Sequence, residues 1–161
     1  MDRNTLADYM HALSHLHTAS GNAFPVETLQ RAPHKPILLL AVLDLAAQGK
    51  LTENFVAISP DLAELFRGYW VRVMPSSRKT AQWAYPFFYL RSEGFWHLVP
   101  KTGMELDLKQ VRNISSLSHL QDVASGARLD DALYALICIE DTRNTLRATL
   151  IERYFSESVR D

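Results

Sequence analysis

The sequence predicts an α+β fold, mainly helical, with one β-hairpin and a winged-helix-like centre. Three observations point there. "ILLLAVLDLAA" (37–47) is apolar nearly all round, as a central buried helix must be. Leu6, Tyr9, Met10, Leu13 and Leu16, and again Leu146, Leu150, Ile151 and Tyr154, recur at helical spacing. "FFYLR" and "FWHLV" flank "SEG", a three-residue connection ending in glycine, which reads as a hairpin.

In chain order, residues 5–18 read as an amphipathic helix capped by Asn4 or Thr5, and "TASGNAFP" breaks it. The buried helix runs from Pro36 to Gln48, with proline in the first turn and Gly49 past the end. "NFVAIS" resembles a short strand, and Pro60 and Asp61 open a third helix through about Met74. "MPSSRKTAQWAYP" reads as a loop. After the hairpin, 107–125 carries no clear period, and helices follow near 130–138 and 141–155. Helix, short strand, helix, hairpin is the order of a winged-helix-like unit, an analogy of topology that says little about function.

The 161 residues fit a single domain, 1–161, large enough to bury roughly 70% of the surface of the unfolded chain. Net charge is −1, so nothing global argues for nucleic acid. Locally, Arg67, Arg72, Arg78, Lys79 and Arg91 fall between Leu65 and Ser92 with no acid among them. The plain reading of that stretch is a solvated face. The single cysteine, Cys138, excludes an intramolecular disulfide, and its apolar surroundings predict a buried, inert thiol. That fits the reducing cytoplasm, as does an N-terminus without a signal peptide's apolar core. The longest apolar run is too short for a membrane span.

No catalytic motif is visible. His11 and His15 stand four apart on a predicted helix, but no Glu follows His11 and no third ligand is evident, so they read as surface or edge histidines. No cofactor is expected. Asp130–Asp131 and Glu140–Asp141 sit where helices should start, and read as caps. "QRAPHKPILLL" says more. Arg31, His34 and Lys35 precede the apolar helix and cluster at its N-terminus, where unpaired N–H groups and the dipole already favour an anion. Against that stands a simpler reading, in which Pro33 and Pro36 only set the chain's approach and His34 caps the helix. Tyr85-Pro86, beside the basic "SSRKT", is open in the same way. It is either an exposed apolar pair next to positive charge or the packed start of a strand. Trp83, Phe95 and Trp96 read as core.

Together, "RAPHKPILLLAVLDL", "YPFFYLRSEGFWHL", "LDDALYALI" and "LIERYFSES" resemble the sulfur-binding domain of phosphorothioate-dependent, HNH-type (type IV) restriction endonucleases. The four blocks come in the family's order and span 31–158. The resemblance implies a recognition domain, not an enzyme, for double-stranded DNA in which sulfur replaces one non-bridging phosphate oxygen. His34 and Lys35 match the family's His-basic pair, and Tyr85 and Pro86 its Tyr-Pro pair at the sulfur. Lys35 stands where some relatives have arginine, losing the planar fork for phosphate. "FFYL" replaces the commoner "FW-x-L", so the far wall, Phe88 or Tyr89, differs. A basic rim of Arg31, His34, Lys35, Arg78 and Lys79, with Ser77 beside them, is expected to meet DNA, Arg78 reading guanine from the major groove. No HNH pattern occurs, and only seven residues follow Tyr154, so the nuclease is expected in cis in a longer protein or not at all.

Overall fold

The computed structural model describes residues 5–74 and 82–160. Its helices, in chain order, are α1 (Leu6–Ser14), α2 (His34–Ala47), α3 (Pro60–Val73), α4 (Ala84–Tyr89), α5 (Glu105–Gln110), α6 (Leu117–Val123), α7 (Asp131–Cys138) and α8 (Glu140–Tyr154). Three strands, β1 (Val56–Ala57), β2 (Trp96–Pro100) and β3 (Ala124–Leu129), form one antiparallel sheet in the order β1-β3-β2. The fold is α+β and mainly helical, as the sequence predicts.

α2 is the centre. From Ile37 through Leu43 every side chain is buried, and α3, α4, α7 and α8 pack around it. Fully burying a leucine- or isoleucine-sized side chain stabilises by roughly 1.5–3 kcal/mol, so this helix contributes more apolar burial than any amphipathic one of its length. Gly49, at φ 73°, takes the left-handed turn that ends it. α1 is fixed by a reciprocal cap, in which Thr5 Oγ1 accepts from the Asp8 amide and Asp8 accepts from the Thr5 amide. It ends a turn sooner than 5–18, because the Leu16 amide bonds the Tyr154 hydroxyl at 3.0 Å. α3 starts as expected, on a Ser59 cap with Pro60 in the first turn.

The expected hairpin does not form. "FWHLV" is strand β2, but its partner is β3, with Trp96 opposite Leu129 and Leu98 opposite Ala127. "FFYLR" lies in α4 and a following 3-10 turn, Leu90–Glu93, closed by Gly94 at φ 90°. The reason is periodicity: Ala84, Phe87 and Phe88 are all fully buried at i, i+3 and i+4, a helical stripe that an alternating strand could not bury. Pro86 falls in the first helical turn, where no N–H is needed. β3 begins at the end of the segment without a clear period and runs on through Leu129, where no strand is expected. Gly126 is required there, since a Cβ would lie 2.5 Å from both the Val56 carbonyl oxygen and the Phe55 ring.

Two smaller expectations are corrected. Cys138 is exposed, not buried, because it falls at the end of α7 on the face away from Leu133 and Ile137. Asp130 stands at the N-cap of α7 without capping it. Its carboxylate accepts from Tyr9 Oη at 2.9 Å and meets His97 Nε2 at 2.7 Å, joining α1 to the sheet. Asp131, Glu140 and Asp141 do lie in first helical turns. Trp83 is half-buried against the core, while Phe95 and Trp96 are sealed in it. No helix among the described residues is long and apolar enough to cross a membrane.

Candidate nucleic-acid interface

Three pieces of chain converge at the N-terminal end of α2 around a cavity of about 350 Å³. One wall is that end itself, with Ala32, His34 and Lys35; a second is His17–Ala19; the third is Gln82 with Tyr85, Pro86 and Tyr89 of α4.

The first two walls are stitched together. The Ala32 amide donates to the Ala19 carbonyl at 2.7 Å, the Gly21 amide to Gln30 at 2.9 Å, and Ser20 and Arg31 form an antiparallel bridge. The return is made by a tight turn in which Leu29 and Gln30 both adopt φ 56°. Neither is glycine, and left-handed residues of this kind cost about 1 kcal/mol or more each. Buried Thr28 holds the turn, its hydroxyl lying 2.8 Å from the Arg31 carbonyl. Strain is thus retained where the chain delivers Arg31–Lys35 to the cavity.

His34 lies tilted against Trp70, ring centroids 5.1 Å apart, and burial lowers its pKa below the ordinary value, so at neutral pH it is an uncharged hydrogen-bonding group. Lys35 extends to Glu93, its ammonium 2.5 Å from Oε2 and 3.4 Å from Ser92 Oγ. Only 12% of the lysine side chain and 4% of the glutamate's are exposed. On the third wall, the Tyr85 hydroxyl donates to the Ser115 carbonyl at 3.0 Å and the Tyr89 hydroxyl to Asn113 Oδ1 at 2.8 Å. Both hydroxyls are thus tied to the segment between α5 and α6, while half-buried Tyr85 and Tyr89 and buried Pro86 line the cavity.

Of the residues singled out from sequence, the structure brings His34, Lys35, Tyr85, Pro86 and Tyr89 around this single cavity. Phe88 is not among the lining residues. It is fully buried, with the Arg91 guanidinium 4.0 Å over its ring, so of the two only Tyr89 lines the cavity. Arg31 stands outside the lining, its guanidinium 3.5 Å from Thr18 Oγ1. Ser77, Arg78 and Lys79 lie outside the described residues. Sequence reasoning missed His17–Ala19, Gln82 and Glu93. Glu93 is 58 residues from Lys35, and no local pattern announces a pair at that range.

His11 of α1 and His15 just past its end, both exposed, stack at 4.1 Å, and no group of three potential metal ligands occurs among the described residues. A larger cavity, about 500 Å³, lies between α2, α3 and α8, but its polar groups are largely taken by one another. Asp44 accepts from Arg147 at 2.7 Å and from Tyr69 Oη at 2.5 Å, and Lys50 lies 3.7 Å from Asp61.

Comparison with known proteins bears on the same chain. The family described as ScoMcrA-like, DNA sulfur-binding domain matches residues 7–161. Among solved structures, the sulfur binding domain of SprMcrA complexed with phosphorothioated DNA is similar in fold, at a TM-score of 0.62 and 18% identity, over 95% of this chain and 87% of that one. No curated protein matches. With the match running across all the cavity's walls, the chain belongs to the ScoMcrA-like family of DNA sulfur-binding domains.

Proposed function

We propose that the chain binds double-stranded DNA carrying a backbone phosphorothioate, taking the sulfur against Tyr85, Pro86 and Tyr89 and the remaining charged oxygen toward His34 and Lys35. The observation that carries this reading is the facing of an apolar wall and the donor-rich end of α2 across one cavity. At about 350 Å³ that cavity is roomier than a sulfur atom, and takes the modified phosphate with the edges of its flanking sugars.

Sulfur is larger, more polarizable and a poorer hydrogen-bond acceptor than oxygen, while the phosphorothioate keeps its negative charge. A receptor that prefers it needs apolar surface for sulfur and donors for oxygen. An ordinary phosphate oxygen against Tyr85 and Pro86 loses water without gaining a partner, at roughly 1–3 kcal/mol. Burying the sulfur adds about 1 kcal/mol. Together these give a preference on the order of 10²-fold, up to about 10³.

The charged rim differs from a row of independent cations. His34 is neutral until an anion arrives, and Lys35 shares its charge with Glu93. General DNA affinity then rests on Arg31 and on the basic Ser77–Lys79 stretch, and falls with salt as phosphate contacts do. The module does no chemistry itself; cleavage belongs to an HNH nuclease domain in cis, of a restriction enzyme directed at modified DNA.

Gel-shift titration with two duplexes identical except for one sulfur tests this. The sulfur duplex is expected to bind about 10²-fold tighter. Equal affinity removes the sulfur and leaves a DNA reader of another kind. Binding to neither at low salt makes the aromatic wall a protein-docking surface.

A further inference from the structure

Glu93 belongs to none of the cavity's walls, yet it holds two of them. Its carboxylate, 4% exposed, receives the Lys35 ammonium at 2.5 Å and the backbone N–H of His17 at 3.0 Å, with His17 Nδ1 3.4 Å from its other oxygen. Lys35 comes from the start of α2, His17 from the segment after α1, and Glu93 from the turn that follows Tyr89. All three pieces that surround the cavity therefore meet on one buried carboxylate. A desolvated charge is retained only where it is paired and hydrogen-bonded, and here Lys35 and His17 both come from the cavity's walls.

We infer that Glu93 is the positioning residue of the site, fixing Lys35 and the His17–Ala19 segment opposite the tyrosines so that the cavity keeps its shape. This rests on the proposed reading of the cavity. Without the carboxylate, the lysine swings free and the 17–19 segment withdraws. The ammonium still finds ordinary phosphates, but the closely fitted apolar surface is lost. Selectivity therefore suffers more than affinity.

The test is Glu93→Gln, nearly isosteric but uncharged, titrated with the paired duplexes. The sulfur preference is expected to fall about tenfold, the weight of one charge-assisted hydrogen bond, while affinity for the unmodified duplex stays within about threefold. Equal weakening of both duplexes, or no change in either, overturns the inference. A second readout needs no DNA. Amide exchange at His17 and Ala32 is expected to accelerate at least about tenfold in the variant, with α7 and α8 unchanged. Unchanged exchange at His17, or acceleration throughout the core, overturns it too. Should the wild-type chain show no sulfur preference, the functional reading fails while amide exchange still decides the role of Glu93. If the ammonium left unpaired by Glu93→Gln keeps the chain from folding, Lys35→Met/Glu93→Gln against Lys35→Met asks the same question without an unpaired lysine. The double variant is expected to exchange faster at His17, and equal rates overturn the inference.

Discussion

The hydroxyl of Tyr85 donates to the carbonyl of Ser115 at 3.0 Å, tying a cavity-lining ring of α4 to the segment between α5 and α6. Tyr89, one turn further along α4, repeats the arrangement on Asn113 at 2.8 Å. The segment between α5 and α6 thus acts as a backing for the apolar wall. Its buried Ile114 anchors that backing to the core.

Ring surface and hydroxyl tether can be separated. Tyr85→Phe keeps the ring and loses a part-exposed hydrogen bond worth about 1 kcal/mol, so the sulfur preference should fall by less than about fivefold. Tyr85→Ala removes the wall and should cost about tenfold or more, with affinity for the unmodified duplex much less affected. Pro86→Ala should act in the same direction, since it trades a pyrrolidine face for an N–H that the site does not use. Paired gel shifts measure all three. Parallel losses on both duplexes would mean that these residues support the fold and do not face sulfur.

How far the sequence carried depends on the range of the interaction. α2 and α3 were legible because their signals are local: an apolar run, a proline in the first turn, a glycine at the exit. The placement of His34 and Lys35 at the start of α2 was legible for the same reason. The aromatic stretch was misread because Ala84, Phe87 and Phe88 satisfy a helical stripe while the run's composition favours a strand, and burial on all of them settled the matter. β3 could not be seen, as "ASGARL" gains its identity from distant strands, Ala127 pairing with Val56 of β1 and Ala124 with Pro100 of β2. Glu93 was invisible on the same ground: its partners are fixed only by the fold.

Trp96 joins the sheet to the apolar wall, its indole N–H donating to the Phe87 carbonyl at 2.8 Å with the ring edge-on to Phe87. Trp96→Phe removes the donor, strands a buried carbonyl and leaves a void, so chemical denaturation should show a loss of about 2–4 kcal/mol. The sulfur preference of the folded variant should remain within about twofold, because no cavity-lining atom is removed. A preference that collapsed with stability intact would place Trp96 in recognition itself.

Tyr69 provides a contrast outside the cavity lining. Burial, and then its hydrogen bond to Asp44, push its phenol up to about 12. The unfolded chain ionises near the ordinary value of 10.0 while the folded phenol stays protonated, so stability is lost as pH rises from there toward about 12. Tyr69→Phe should flatten the fall in Tm over that window. At neutral pH it should cost about 1.5 kcal/mol, the low end for a bond to a charged group, because Asp44 keeps Arg147.

His34 should make the protein acid-sensitive and its ligand protective. Burial lowers the imidazole's pKa from its ordinary 6.5, so on acidification the unfolded chain takes the proton first. The unfolded state then binds more protons, and stability falls as pH drops through 6.5 toward the lower folded value; above 6.5 the group contributes no slope. A bound phosphorothioate reverses the balance, since its negative charge favours the imidazolium that burial opposes. Binding should therefore take up protons, and the affinity for the sulfur duplex should rise as pH is lowered from about 7.5 to 6. His34→Asn cannot titrate, and the difference between wild type and variant isolates this histidine from His17 and the others. The decisive measurement is calorimetric titration in two buffers of different ionisation enthalpy. Net proton uptake in the wild type that vanishes in His34→Asn is the expected result, and identical uptake in both would remove His34 from contact with the anion.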